Sequence, residues 1–204
     1  LGLKDFAVLS TGEKIENPRH LAKLAEKLAK AQRARKKRQA VNIYAKIKNT
    51  RRDFHHKLSA RLVNQFDYIA VGNVSAVKLA KTRMAKSVLD AGWSSFRNML
   101  RYKALGHGAM FEEVNESYST QACSRCGCLG GPKGIAGLGI RVWRCGECGV
   151  QQDRDINSAC NILLGSGHGA LAEGIPVFQG GDDVNARVRR LCRSRRLHCL
   201  PRAG

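Results

Sequence analysis

Apolar residues follow three rhythms along this chain, and each rhythm predicts a different element. Residues 3 to 16 alternate short β-favouring runs, KDFAVLS and EKIEN, around a Thr-Gly turn at Thr11 and Gly12, which predicts a hairpin. From His20, the residues Leu21, Leu24, Ala25, Leu28 and Ala31 recur at three and four positions, one face of an amphipathic helix. A second helix is expected to end near Val63. FDYIAVGNVS, residues 66 to 75, is a continuous apolar run closed by a Gly-Asn turn, the pattern of a strand buried on both faces. Met84, Val88, Leu89, Trp93, Phe96, Met99 and Leu100 predict one helix from Thr82 to Tyr102 with a core-facing stripe. A strand in AMFEEVNES follows Gly108, and INSACNILLG predicts a short helix with Ile156, Ala159, Cys160 and Leu163 on one side. Strand, helix, strand, insertion, helix is the order of an α/β domain with a partly parallel sheet. Beyond Gly165 no periodicity survives, so residues 166–204 are expected to form a disordered basic tail.

Charge changes the picture of the first two helices. Their polar sides carry Lys30, Arg33, Arg35, Lys36, Lys37 and Arg38, then Lys46, Lys48, Arg51 and Arg52, with Glu26 and Asp53 almost alone in opposition. A solvated surface is the ordinary fate of such a run. Here the whole chain of 204 residues has a formal charge of +20 and a pI near 10.2, which favours an anionic partner, nucleic acid above all. An anionic membrane is the rival. No run approaches the roughly 18 apolar residues of a spanning helix, and no signal-type segment opens the chain, so an intracellular, cytoplasmic protein without a membrane partner is expected. With 43% hydrophobic and 25% charged residues, the chain can bury one core beside a small satellite module.

The satellite is marked by cysteines. Cys123 and Cys126 form one Cys-x-x-Cys pair, Cys145 and Cys148 a second, and the span between them suits a zinc ribbon with four thiolate ligands. Such a site has no open coordination position, so its Zn²⁺ is expected to be structural. Two disulfides are the alternative. Cys128 reads as a bystander and Cys160 as a core residue, while Cys192, His198 and Cys199 are irregularly spaced. Directly after the ribbon, Asp153 and Asp155 flank Arg154. Acids in a first helical turn are favoured by the helix dipole and by capping, which explains them without chemistry. The other reading is a carboxylate that binds Mg²⁺ in phosphodiester hydrolysis, for which one Asp alone is insufficient.

The order LGLKDFAVLSTGEKIENPR, basic helices, YIAVGNVS, helix, LRYKA, ESYSTQACSRCG, RCGECG, DRDINSACNI resembles the RuvC-like nuclease half of the transposon-encoded TnpB/OrfB transposase family, over residues 1 to about 165. Members are RNA-guided DNA endonucleases related to compact type V CRISPR effectors. The resemblance implies an RNase H-like (RuvC) mixed sheet with a basic helical insertion and an inserted four-cysteine zinc ribbon, catalytic Mg²⁺, and DNA and guide RNA as partners, in a prokaryotic, nucleoid-associated setting. It divides the chain into a hairpin at 1–17, the basic helices at 18–65, core at 66–120, ribbon at 121–150, a final helix at 151–165 and the tail.

The family's three acids transfer only in part. The last falls on Asp155. The first would stand immediately before Leu1, so an upstream stretch is expected to be missing and the 204 residues alone to cut poorly; Asp5 is no replacement by register. Where the family usually has Glu then Asp, this chain has Gly72 and Asn73. Glu116, at the end of the next strand, is the candidate to supply that carboxylate. Three functions follow as expectations: a fragment of an RNA-guided endonuclease, a nuclease-inactive nucleic-acid-binding remnant, and, less in keeping with the long α/β section, a ribosome-associated zinc ribbon protein.

Overall fold

A computed structural model describes residues 1–134 and 136–166 of the chain. The expected tail, with Cys192, His198 and Cys199, lies outside the described residues. In chain order the elements are strands β1 (Asp5–Val8) and β2 (Lys14–Glu16), helices α1 (His20–Arg33) and α2 (Lys37–Gln65), β3 (Tyr68–Gly72), short helices α3 (Ala76–Leu79) and α4 (Ala85–Ala91), α5 (Trp93–His107), β4 (Met110–Val114), a 3-10 turn at Ala136–Gly139, β5 (Val142–Arg144), β6 (Gln151–Asp153) and α6 (Arg154–Gly165). The chain divides into two compact units. One comprises Leu1–Ala7, Ile15–Ile69 and Val74–Glu112, the other Val8–Lys14, Ala70–Asn73 and the described residues from Glu113.

Strand pairing among the described residues forms three two-stranded sheets, β1–β2, β3–β4 and β5–β6. The first is the expected hairpin, its turn closed by Leu9 N–H on the Glu13 carbonyl and Gly12 N–H on the Leu9 carbonyl. In the second, Met110 N–H donates to the Asp67 carbonyl and Asn73 N–H to the Val114 carbonyl, so both strands advance in the same direction. That is the parallel pair the βαβ order requires. β3 is less enclosed than its apolar run predicts: only Val71 and Gly72 are buried. No helix among the described residues is long and apolar enough to cross a membrane.

In the first unit, α1 and α2 fold back on one another through Ala34–Lys36, where Arg35 takes a left-handed φ of 54°. Leu28 and Ala31 of α1 and Ile47, Leu58, Leu62 and Val63 of α2 are buried, so the apolar rhythm does mark the inner faces. α1 has no side-chain cap of its own. Asp90 of α4 supplies it, its Oδ2 accepting the Leu21 N–H at 3.0 Å. This satisfies one of the orphan donors of a helix start from a residue that no local pattern could nominate.

The single helix expected over Thr82–Tyr102 is in fact two. Gly92, at φ 63°, ends α4 and starts α5. A Cβ at this position would lie 3.1 Å from His55 Cε1 and 3.3 Å from Arg51 Cδ, so close approach and backbone conformation both call for glycine. The break also shifts the phase of the stripe. Val88, Trp93, Phe96, Met99 and Leu100 are buried, whereas Met84 and Leu89 face outward.

Behind Gly92 sits His55, 1% exposed, with Phe6, Phe54 and Phe96 ring centroids within 5.4 to 5.9 Å. Its Nε2 lies 2.9 Å from the Ala91 carbonyl, which can only accept, so this nitrogen carries the proton. Burial lowers the His55 pKa to about 4, against the ordinary 6.5; the Ala91 carbonyl opposes the shift, and Arg51, His20 and His56 reinforce it. The folded pKa lies below the unfolded one, so between pH 6.5 and about 4 the unfolded chain binds the extra proton. Stability should therefore be constant above pH 6.5 and fall by about 3 kcal/mol as pH drops through that window. Urea titrations at pH 7.5 and 4.5 check this, with His55→Gln expected to remove most of the difference.

Candidate metal centre and carboxylate site

The ribbon belongs to the second unit, and its local bonding aims four sulfurs at one point. Gly127 N–H closes a turn on the Cys123 carbonyl at 2.7 Å, and Gly149 N–H closes the equivalent turn on the Cys145 carbonyl at 3.0 Å. Each turn is one Cys-x-x-Cys knuckle. The hairpin β5–β6, with Trp143 opposite Gln152, sets the second knuckle beside the first. The Sγ atoms of Cys123, Cys126, Cys145 and Cys148 all lie within 4.8 Å of one another, with Cys123–Cys148 at 3.7 Å and Cys126–Cys145 at 3.6 Å. Sulfurs at tetrahedral positions about 2.3 Å from a zinc ion would be about 3.8 Å apart, whereas a disulfide needs about 2.05 Å. All four are free cysteines, so the cluster can hold a metal such as zinc, and the two-disulfide alternative fails.

The surroundings favour thiolates unevenly. Burial opposes charge at Cys145, but N–H groups of Cys148 and Glu147 directed at its sulfur bring its pKa below the ordinary value. Burial pushes the Cys126 thiol well up. Gln152 Nε2 donates to Cys123 Sγ at 3.3 Å. Cys128 stays outside the cluster; its carbonyl accepts the Cys123 N–H. Cys160, expected in the core, is half-buried with its Sγ 3.8 Å from the Ser10 carbonyl.

β6 runs directly into α6, and the two acids of the tripeptide take different parts. Asp153 is the cap: its Oδ1 accepts the N–H groups of Asp155 at 2.9 Å and Ile156 at 3.2 Å, and its Oδ2 meets Lys14 Nζ at 2.5 Å. Burial works against its charge, yet Lys14 and these N–H donors outweigh it and hold the carboxyl below the usual range. The side-chain cap thus belongs to Asp153, while Asp155 stands in the first turn, where the helix dipole favours its charge. Asp155 points to guanidinium groups instead, Arg141 Nη1 at 2.9 Å and Arg154 Nη2 at 3.1 Å.

Glu116 and Gly72 lie together in the same unit. A Cβ added at Gly72 would come within 2.7 Å of Glu116 Oε2, 3.1 Å of Glu116 Cβ and 3.1 Å of Ile162 Cδ1 on α6. The Glu116 side chain therefore occupies the space that a side chain at position 72 would take. Asn73, beside it, is exposed and bonds through its N–H to β4.

Of the ten cations expected to meet nucleic acid, Lys30, Arg33, Arg35, Lys36, Lys37, Arg38, Lys46, Lys48 and Arg52 are exposed in the first unit. Arg51 is the exception. It turns inward, donating to the Leu89 carbonyl at 3.1 Å, with its other neighbour Asp90 at 3.9 Å. Residues that sequence reasoning missed are Arg141, Gln152, Asn157 and Asn161. For the two asparagines a signal existed, their spacing of four on one helix face; for Arg141 there was none.

Comparison with known proteins gives a consistent likeness. A family described as "Probable transposase" matches residues 1–83, and one described as "Cas12f1-like, TNB domain" matches residues 93–162. A Streptomyces pristinaespiralis protein named "Putative RNA-guided DNA endonuclease" is 36% identical over 85% of this chain and 46% of its own length. The Escherichia coli K12 protein InsQ, given the same description, is 30% identical over 88% of this chain and 50% of its own. This chain thus spans about half the length of the curated relatives it matches. Among solved structures, the Cas12f1 chain in a complex with sgRNA and target DNA superposes with a TM-score of 0.56 at 17% identity, over 74% of this chain and 43% of that one, a likeness of fold.

Proposed function

This chain belongs to the TnpB/OrfB family of transposon-associated RNA-guided DNA endonucleases, and from that premise we propose that it supplies the phosphodiester-cleaving part of such an enzyme. In this reading residues 1–17, 66–120 and 151–165 are RuvC-like, the ribbon binds structural Zn²⁺, Asp155 and Glu116 are the catalytic carboxylates, and the basic helices α1 and α2 track DNA or guide RNA. The setting would be a prokaryotic cytoplasm, beside the nucleoid. The observation that carries the reading is Glu116, in the segment just after β4, filling the space over Gly72, which supports a carboxylate there in place of one on β3.

The chemistry calls for Mg²⁺. A divalent ion at Asp155 would have to displace the two guanidinium groups now paired with it, and the oxygen ligands these residues could then offer are the carboxylates of Asp155 and Glu116. When bound, Mg²⁺ would polarise the scissile phosphate and lower the pKa of an attacking water. Asp155 and Glu116 would each hold the ion through a carboxylate oxygen, and Arg141 and Arg154, released from Asp155, would be left to offset phosphate charge. The α1–α2 cations would fix the strand by phosphate contacts, which position without reading sequence.

Gly72 and Asn73 in place of acids favour a second reading, a nuclease-inactive nucleic-acid-binding protein of the same family. A cleavage assay with guide RNA, target DNA and Mg²⁺, run on this chain joined to the N-terminal half of a full-length relative, separates the two. Cleavage abolished by Asp155→Ala supports the nuclease; tight binding with no cleavage in Mg²⁺ or Mn²⁺ supports the binder. Binding itself is expected to weaken with salt at a log-log slope of about −0.9 per duplex phosphate neutralised, and the triple variant Lys36→Ala/Lys37→Ala/Arg38→Ala should flatten it by about three contacts. An affinity indifferent to salt would sink both readings.

A further inference from the structure

The four-cysteine cluster and Asp155 are joined by side chains that neither a bound metal nor the cleavage chemistry requires. Asn157, two residues beyond Asp155 on α6, is 1% exposed, and its carboxamide is engaged at both ends. Its Oδ1 accepts the Ser124 N–H at 2.7 Å, and its Nδ2 donates to the carbonyls of Ala122 at 2.7 Å and Ser119 at 3.3 Å. Asn161, one turn further, donates to the same two carbonyls, each at 2.7 Å. Ser158 Oγ meets Ser119 Oγ at 2.8 Å. Ala122 and Ser124 are the residues on either side of Cys123, so the backbone that carries the first sulfur is suspended from α6. The second knuckle reaches the same helix through Arg141, which lies four residues before Cys145. Arg141 binds Asp155 with its side chain, and its carbonyl accepts the Arg154 N–H at 2.7 Å.

A buried amide is held in place only while its partners are, because no water can substitute for them. The Ala122 carbonyl and the Ser124 N–H flank Cys123 directly, so a displaced Cys123 would shift both of these partners of Asn157. We propose that Asn157 is a positioning residue that makes the orientation of Asp155 conditional on a filled four-cysteine site. The proposal rests on the reading of Asp155 as a metal-binding carboxylate. Loss of the ribbon metal frees the Cys123 knuckle, the receptors of Asn157 spread, and the first turn of α6 carries Asp155 out of register. A filled site fixes the array, and the carboxylate with it. In this way a metal that performs no chemistry would control whether the chemistry is possible.

The test uses the full chain with cobalt(II) as the probe metal. In the wild type, loading should slow hydrogen exchange over residues 154–161 by about tenfold or more. Asn157→Ala should still give the charge-transfer bands of a four-thiolate cobalt site, but bind cobalt about 10- to 100-fold more weakly, and its exchange over 154–161 should cease to depend on the metal. Asn161→Ala removes only the duplicate donors and should fall between. The proposal is overturned if Asn157→Ala keeps its affinity within about twofold, or if its α6 exchange still follows the metal as in the wild type. Should Asn157→Ala fail to fold, Asn161→Ala decides by the same comparison. A Mn²⁺ titration of Asp155→Ala tests the underlying reading separately: unchanged Mn²⁺ affinity removes Asp155 from the metal site while leaving the cobalt dependence of α6 intact.

Discussion

Stripping metal from the four-cysteine site with a strong chelator should dissolve the ribbon from Ala122 to Val150. The reason is the thinness of its apolar packing. β5 and β6 have three residues each, and the cluster around the sulfurs contains Trp143 as its one large buried side chain, with Val150 packed against it. Burying one such side chain contributes about 1.5–3 kcal/mol, less than the cost of ordering even a few backbone residues. Structural zinc in isolated fingers contributes on the order of 10 kcal/mol, so the metal decides the outcome. The chain has two tryptophans, and in a Trp93→Phe background Trp143 reports alone. Its emission should shift to the red on chelation and return on addition of Zn²⁺, and Cys123→Ser should mimic the chelated state permanently. An unshifted spectrum after metal analysis has confirmed removal would show that hairpin packing suffices.

Restoring the family's acid on β3 should, against first intuition, damage the protein. Gly72→Glu must place a Cβ within 2.7 Å of Glu116 Oε2 and 3.1 Å of Ile162 Cδ1, and then add a second carboxylate beside the first. Overpacking of this kind typically costs about 1–3 kcal/mol, and like charges in one site raise the pKa of one of them. Glu116→Ala alone should leave the fold in place and weaken Mn²⁺ binding by about tenfold or more. The double variant Gly72→Glu/Glu116→Ala should regain both stability and metal binding, because the acid has only moved from the segment after β4 to β3. Such a strong non-additive result is the signature of two residues sharing one space. If the double variant is no better than Gly72→Glu, the exchange of positions is wrong.

How much of this was legible in the sequence depended on distance along the chain. The hairpin, the two basic helices, β4 and α6 follow from local rhythm, because period and turn residues act over a few positions. The ribbon was legible because the spacing of its cysteines is itself the geometry of the site. Gly92 was not, since a glycine within a helical stripe becomes a break only where Arg51 and His55 press against it. The cap on α1 came from Asp90, 69 residues away. The tripeptide was ambiguous for a different reason: capping and chemistry favour the same residue in the same place, and only the bonds of Asp153 identify it as the cap.

The length of α2 has one more consequence. At 1.5 Å per residue its 29 residues make a rod about 44 Å long, a little more than one turn of duplex. Its cations from Lys37 to Arg52 occupy the first 16 residues, about 24 Å, which at about 3.4 Å per phosphate matches about seven phosphates of a single strand. If α2 meets a nucleic-acid strand, as proposed, its length makes it a ruler as well as a surface, and contacts beyond about seven nucleotides would have to come from Lys57 and Arg61 further along the same helix or from other elements.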